Sequence, residues 1–69
     1  MRDYSRTEVT EAIEEWIIGK NAQRDRAIIY RRLIDGLTYE ALAEEFDMSV
    51  MQIKRIVYKT QEKLFRHLK

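Results

Sequence analysis

The stretch from Leu37 to Leu64 constrains the fold most, because it encodes two helices separated by only a few residues. Thr38 precedes the first helix and Ser49 the second, and both residue types are favoured at helix N-caps. Ser49 and Gln52 also have the spacing of a capping box, in which each side chain accepts a hydrogen bond from the other residue's backbone N–H. A turn of about three residues makes consecutive helices cross steeply, so this spacing predicts a helix-turn-helix.

Apolar residues recur at helical spacing on both sides of the turn. The first helix carries an apolar stripe at Tyr39, Leu42, Ala43 and Phe46. The stripe of the second helix comprises Val50, Ile53, Val57, Thr60 and Leu64. The residues left on its open face are Met51, Gln52, Lys54, Arg55, Tyr58 and Lys59. A helical hairpin with a solvated polar face would share this pattern, but the caps, the short turn and the basic open face together favour DNA recognition.

Residues Asp35 to Leu64 resemble the helix-turn-helix of region 4 in bacterial sigma factors. The matching positions are Gly36, Leu37, Thr38, Tyr39, Glu40, Ala43, Glu44, Ser49, Val50, Ile53, Lys54 and Val57. The resemblance implies a promoter-type DNA reader; response-regulator output domains and small phage regulators are similar in the same stretch. Met51 and Gln52 stand where the family has a small Gly-Thr pair, and Arg55 stands where it has Ser. The family's base preference is therefore not carried over.

The rest of the sequence predicts two further helices, so residues 1–69 are expected to form a single all-α domain. The four helices are expected at about 6–18, 22–35, 39–46 and 50–68. Ser5 and Glu8 have the spacing of a second capping box, with Tyr4 placed to pack on Val9, and Asn21 is the expected cap of the second helix.

Two large apolar side chains are expected in the core. Trp16 continues the apolar stripe of the first helix and is interpreted as a core anchor, with contact to a partner as the alternative. Leu33 belongs to the second helix, whose apolar surface is too wide for one neighbour, so that helix is expected to pack against the other three.

Composition excludes several classes of site. The 69 residues include no cysteine and one histidine, which rules out a disulfide framework and the usual zinc sites. No phosphate-binding glycine loop and no positioned nucleophile with a base is recognisable, so we expect neither an enzyme nor a cofactor. No apolar run has membrane-spanning length, and the N-terminus lacks the apolar segment of a signal peptide. The expected location is the cytoplasm, with no membrane partner.

Charge is segregated along the chain behind a net charge of +1. Residues 37–49 hold four acidic and no basic residues, whereas residues 50–69 hold six basic and one acidic. The basic excess therefore lies in the helix that would enter a DNA groove, and double-stranded DNA is the expected partner.

Candidate DNA contacts follow from side-chain chemistry. Gln52 is suited to adenine, Arg55 to guanine and Met51 to a thymine methyl group. The candidate phosphate contacts are Lys54, Tyr58, Lys59, the backbone N–H groups at Thr38 and Tyr39, and the guanidinium groups of Arg31 and Arg32. The alternative for each of these arginines is a solvated side chain that contacts no phosphate. The rival function is a module that docks on RNA polymerase or another regulator, for which apolar Met51 and Ile56 would be suited.

The C-terminal part of the last helix carries apolar residues with two interpretations. The residues are Ile56, Leu64, Phe65 and Leu68. They either close the core against the first helix or form the seam of a homodimer. His67 is given no role.

Overall fold

The computed structural model describes residues 5–68, which form four helices and no strand. The helices are α1 Arg6–Trp16, α2 Ala22–Leu33, α3 Tyr39–Phe46 and α4 Val50–His67. The all-α fold with a C-terminal helix-turn-helix is thereby confirmed. No helix in this part of the chain combines the length and apolar character needed to cross a lipid bilayer.

Three of the four helix starts are fixed by side-chain caps. Ser5 and Glu8 form the expected capping box, with bonds of 3.0 and 3.1 Å between each side chain and the other's backbone N–H. The Thr38 hydroxyl accepts from the backbone N–H of Ala41 at 3.1 Å. Asn21 stands at the start of α2, but its side chain makes no capping bond, so that expectation was wrong. Its φ of −106° and ψ of 25° lie outside the extended conformation that aims a cap at the helix.

The core lies between α2 and α4, each of which contacts the other three helices. Six side chains are almost wholly shielded from solvent: Ile28, Ile29, Leu42, Ile53, Val57 and Leu64. The prediction that α2 packs against three neighbours is confirmed, although α4 does the same. Leu33 is only half-buried, because Ile28 and Ile29 occupy the centre of the α2 face.

Trp16 does not anchor the core as expected, because it is the last residue of α1 and 37% exposed. Ile17 leaves the helix in an extended conformation and is buried in its place, at 4% exposure. The Trp16 ring instead stacks in parallel on His67, with ring centres 3.7 Å apart and an interplanar angle of 1°. This contact joins the ends of α1 and α4.

The apolar C-terminal residues pack largely inside the chain. Leu64 is fully buried, and Ile56 and Leu68 are half-buried against the core. Leu64 therefore closes the core, the first of the two interpretations, and is unavailable to a dimer seam. Phe65 is half-buried. The expected staple from Tyr4 to Val9 lies outside the described residues.

Candidate nucleic-acid interface

The turn between α3 and α4 is tight because Asp47 takes the left-handed conformation, with φ 55° and ψ 49°. Among residues 5–68 it is the one residue other than glycine with positive φ. The N–H of Met48 bonds to the carbonyl of Ala43 at 2.9 Å, and that of Asp47 to the carbonyl of Glu44 at 3.4 Å. These bonds close the end of α3, so α4 starts at Val50 in a fixed direction.

The first turns of α4 present an open face to solvent. Met51 is 69% exposed, and Gln52 and Arg55 are exposed beside it. Met51 and Arg55 are four residues apart, so they lie on one face of the helix. Arg55 forms no ion pair or hydrogen bond with any other residue between 5 and 68. Its guanidinium group is therefore available to an external acceptor.

The Gln52 side chain also takes part in the N-terminal cap of α4. Its side-chain oxygen Oε1 accepts a hydrogen bond of 3.0 Å from the backbone N–H of Ser49. In return, the backbone N–H of Gln52 donates to the Ser49 hydroxyl at 3.1 Å. The capping box expected from the sequence is thus present, and it uses the same side chain that was predicted to read a base.

One flank of α4 carries a group that we call the tyrosine cluster, made of Arg32, Tyr39, Lys54 and Tyr58. The Tyr39 and Tyr58 rings meet edge to face, with centres 6.1 Å apart at 82°. The Arg32 guanidinium carbon lies 4.2 Å from the centre of the Tyr39 ring, and Lys54 Nζ lies 5.7 Å from it. Such positions favour cation–π attraction. The cluster ties α2, α3 and α4 together and holds two cations beside the open face.

Two further features of the tyrosine cluster concern the anchoring of Arg32 and the pKa of Tyr58. Arg32 donates through Nη1 to the carbonyl of Leu37 at 2.7 Å, which anchors the guanidinium group on the loop before α3. Side-chain hydrogen bonding with Tyr39, followed by charge interaction with Tyr39 and burial, raises the pKa of Tyr58 above its usual value. Tyr58 is therefore a neutral phenol at neutral pH and can donate a hydrogen bond.

Arg31 is held by acidic residues. It pairs with Asp35 at 2.9 Å and with Glu45 at 2.7 Å, and its Nε also donates to Glu45 at 3.1 Å. Hydrogen bonds to Glu45, and then to Asp35, raise the Arg31 pKa above its usual value. The expected phosphate contact is thus occupied by carboxylates, and Arg31 joins α2 to α3 instead.

The other flank of α4 lines a cavity of about 220 Å³. Three of its lining residues are lysines, which we call the lysine cleft: Lys20, Lys59 and Lys63. Asp25 is the one acidic residue in the lining, and it pairs with Arg24 at 3.1 Å. Sequence reasoning chose Lys59 and missed its two neighbours. The spacing of Lys63 four residues after Lys59 could have revealed it, but Lys20 comes from the turn between α1 and α2.

The N-terminus of α3 is open beside the tyrosine cluster. The Thr38 hydroxyl satisfies the N–H of Ala41, and the Thr38 carbonyl satisfies that of Leu42. The backbone N–H groups of Tyr39 and Glu40 have no acceptor among residues 5–68. Such free N–H groups are suited to an anion.

A model of the protein family described as sigma-70, region 4 matches residues 22–66 of this chain. The match begins with α2 and takes in α3 and nearly all of α4, so it includes the turn, the open face and the tyrosine cluster. Lys20 and α1 lie outside it. No curated protein and no solved structure matches the chain.

Proposed function

The chain belongs to the sigma-70 region 4 family, and from that premise we propose that it binds double-stranded DNA sequence-specifically and regulates transcription. The family is one of DNA-binding helix-turn-helix domains and not of enzymes. The observation that carries the proposal is the Arg55 guanidinium group, which has no partner among residues 5–68 and lies on the open face of α4 with cations on both flanks.

The open face supplies the base contacts in this proposal. An α-helix fits the major groove, and recognition helices place their N-terminal residues against base edges. Arg55 offers a planar pair of donors to O6 and N7 of guanine, while exposed Met51 contacts a thymine methyl group. Gln52 is the third base-reading residue.

The two flanks supply phosphate contacts on opposite walls of the groove. Successive residues are rotated by roughly 100° around a helix axis. Lys54 and Tyr58 therefore fall on one side of Arg55, while Lys59 and Lys63 fall on the other. Arg32 and the open α3 N-terminus at Thr38 and Tyr39 extend the first flank. Lys20 extends the second.

The number of cations sets the salt dependence. The proposed phosphate contacts are made by five charged side chains, Arg32, Lys54, Lys20, Lys59 and Lys63. Release of about 0.9 counterion per phosphate gives a slope of roughly −4.5 for log affinity against log salt.

The test is selection of bound duplexes from a randomised pool at about 0.1 M salt, with Arg55→Ala and Lys59→Ala run in parallel. Arg55→Ala is expected to cost about 1–3 kcal/mol and to lose base definition at one position. Lys59→Ala is expected to weaken every sequence alike, because a phosphate contact carries no sequence information. Equal losses on selected and random DNA for Arg55→Ala would refute base reading.

A second candidate function is docking on RNA polymerase or another regulator. Met51 favours it, because an apolar side chain 69% exposed on the open face suits a protein surface. Binding of purified polymerase without DNA, together with a flat salt dependence of DNA retention, would support this function over DNA reading.

A homodimer through Ile56, Phe65 and Leu68 stays a prediction, and native mass with a palindromic selected motif would test it. The proposal places the protein in the cytoplasm.

A further inference from the structure

Gln52 is held by the N-terminus of its own helix before it meets any ligand. Its Oε1 accepts from the Ser49 N–H at 3.0 Å, and the Ser49 hydroxyl accepts the Gln52 N–H at 3.1 Å. The oxygen and the amino group of an amide are bonded to the same carbon and point in different directions. The amino group makes no hydrogen bond within residues 5–68, so it keeps its donors for an external partner.

This arrangement changes what Gln52 can recognise. A glutamine that selects adenine accepts from the N6 amino group and donates to N7, so it needs both ends of its amide. The amide oxygen has a second lone pair, so adenine recognition of that kind needs this lone pair to reach N6 from the cap, or Gln52 to give up its bond to Ser49. In the latter case the Ser49 N–H would be left without its acceptor.

We propose, on the basis of the DNA-reading function above, that Gln52 keeps its oxygen at the cap and reads the base edge through its amino group alone, so that it rejects cytosine and does not distinguish the other three bases. Adenine N7, guanine N7 and O6, and thymine O4 are all acceptors in the major groove, so a lone amino group does not separate these bases. Cytosine presents only its N4 amino donor in the major groove and is rejected. The capping box thus sets the specificity of this residue.

Arg55 differs from Gln52 in that its side chain takes no part in a cap. Its guanidinium group has no partner among residues 5–68 and keeps its full set of donors. It therefore selects guanine through a paired contact, for which discrimination is about 5- to 150-fold. The bound sequence should contain one sharply defined guanine and, at the position read by Gln52, adenine, guanine and thymine within about threefold of each other, with cytosine depleted.

Gln52→Glu tests the inference without removing the cap. Glutamate completes a capping box as glutamine does, so the melting temperature is expected to change little. Its free carboxylate oxygen accepts and cannot donate, which reverses the chemistry presented to the base. In selection from a randomised pool, cytosine should change from the depleted base to the preferred base at that one position, by about 5- to 150-fold. Gln52→Ala serves as the control that identifies the position, because it removes both chemistries and should leave all four bases equally represented there.

The outcomes separate this inference from the function on which it rests. A wild-type preference for adenine over guanine and thymine of more than about tenfold would overturn the inference, since it would require the amide oxygen to accept from adenine N6 as well. A motif unchanged by both Gln52 variants but blurred by Arg55→Ala would also overturn it, while leaving DNA reading intact. Absence of any enriched motif would reject the DNA-reading function and this inference together.

Discussion

Neutralising the lysine cleft should lower the salt dependence of DNA binding by a calculable amount. Lys20, Lys59 and Lys63 line one cavity, and none forms an ion pair within residues 5–68. If each contacts one phosphate, each Lys→Gln substitution reduces the slope of log affinity against log salt by about 0.9. The triple variant should therefore show a slope of roughly −1.8 in place of −4.5.

The effect is large enough for a titration to measure. Between 50 and 200 mM salt, one lost contact reduces the fall in affinity by about 3.5-fold, and three lost contacts by about 40-fold. Fluorescence anisotropy of a labelled duplex at four or five salt concentrations gives the slope for each variant. All three lysines are exposed, so circular dichroism and the melting temperature should be little altered.

Arg66→Gln is the matched control, since it removes one positive charge from α4, the helix that carries Lys59 and Lys63. Arg66 pairs with Glu62 at 3.3 Å and lies outside the cleft. Its slope should stay near that of the wild type. A control slope that fell as far as that of the lysine variants would mean that total charge, and not contact at the cleft, governs binding. Unchanged slopes for all the lysine variants would refute the assignment of this flank to DNA.

Two further predictions concern the scaffold that orients α4. Ile29→Ala should lower the free energy of unfolding, measured in urea, by about 2–5 kcal/mol, because Ile29 is fully shielded from solvent. Leu33→Ala should lower it clearly less, because Leu33 is half-buried. Equal losses for the two variants would contradict the assigned core. Asp47→Ala should destabilise the fold by about 1 kcal/mol, because alanine disfavours the left-handed conformation of this turn. Asp47→Gly should not destabilise it, because glycine adopts that conformation readily. Similar melting temperatures for the two variants would show that this conformation does not limit stability.

The sequence predicted helix starts correctly where the signal consisted of two residues at a fixed spacing. Both capping boxes are present because each pairs a hydroxyl with an amide or carboxylate three residues later. The interpretations of Asn21 and Trp16 each relied on one residue type. A cap also depends on backbone dihedral angles, and burial at a helix end depends on where the helix stops, and neither is fixed by residue type alone.

The candidate site likewise has one part that the sequence predicts and another that depends on how the helices pack. The open face of α4 follows from helical periodicity, so Met51 and Arg55 were placed from sequence alone. Contacts between helices could not be predicted from periodicity. The ion pair between Arg31 and Glu45, for example, joins residues 14 positions apart in the chain. The meeting of Lys20 with Lys63 likewise depends on how α1 and α2 pack against α4.

Charge segregation also determines how a duplex would approach this domain. The exposed side of α3 is acidic at Glu40, Glu44 and Glu45, so it repels phosphates along most of its length. Arg31 pairs with Glu45 and adds no free cation to that side. Within the helix-turn-helix, attraction comes from the flanks of α4 and the open N-terminus of α3, although the whole chain carries a charge of only +1. Repulsion from α3 and attraction to α4 favour the same orientation, with Arg55 directed at the bases.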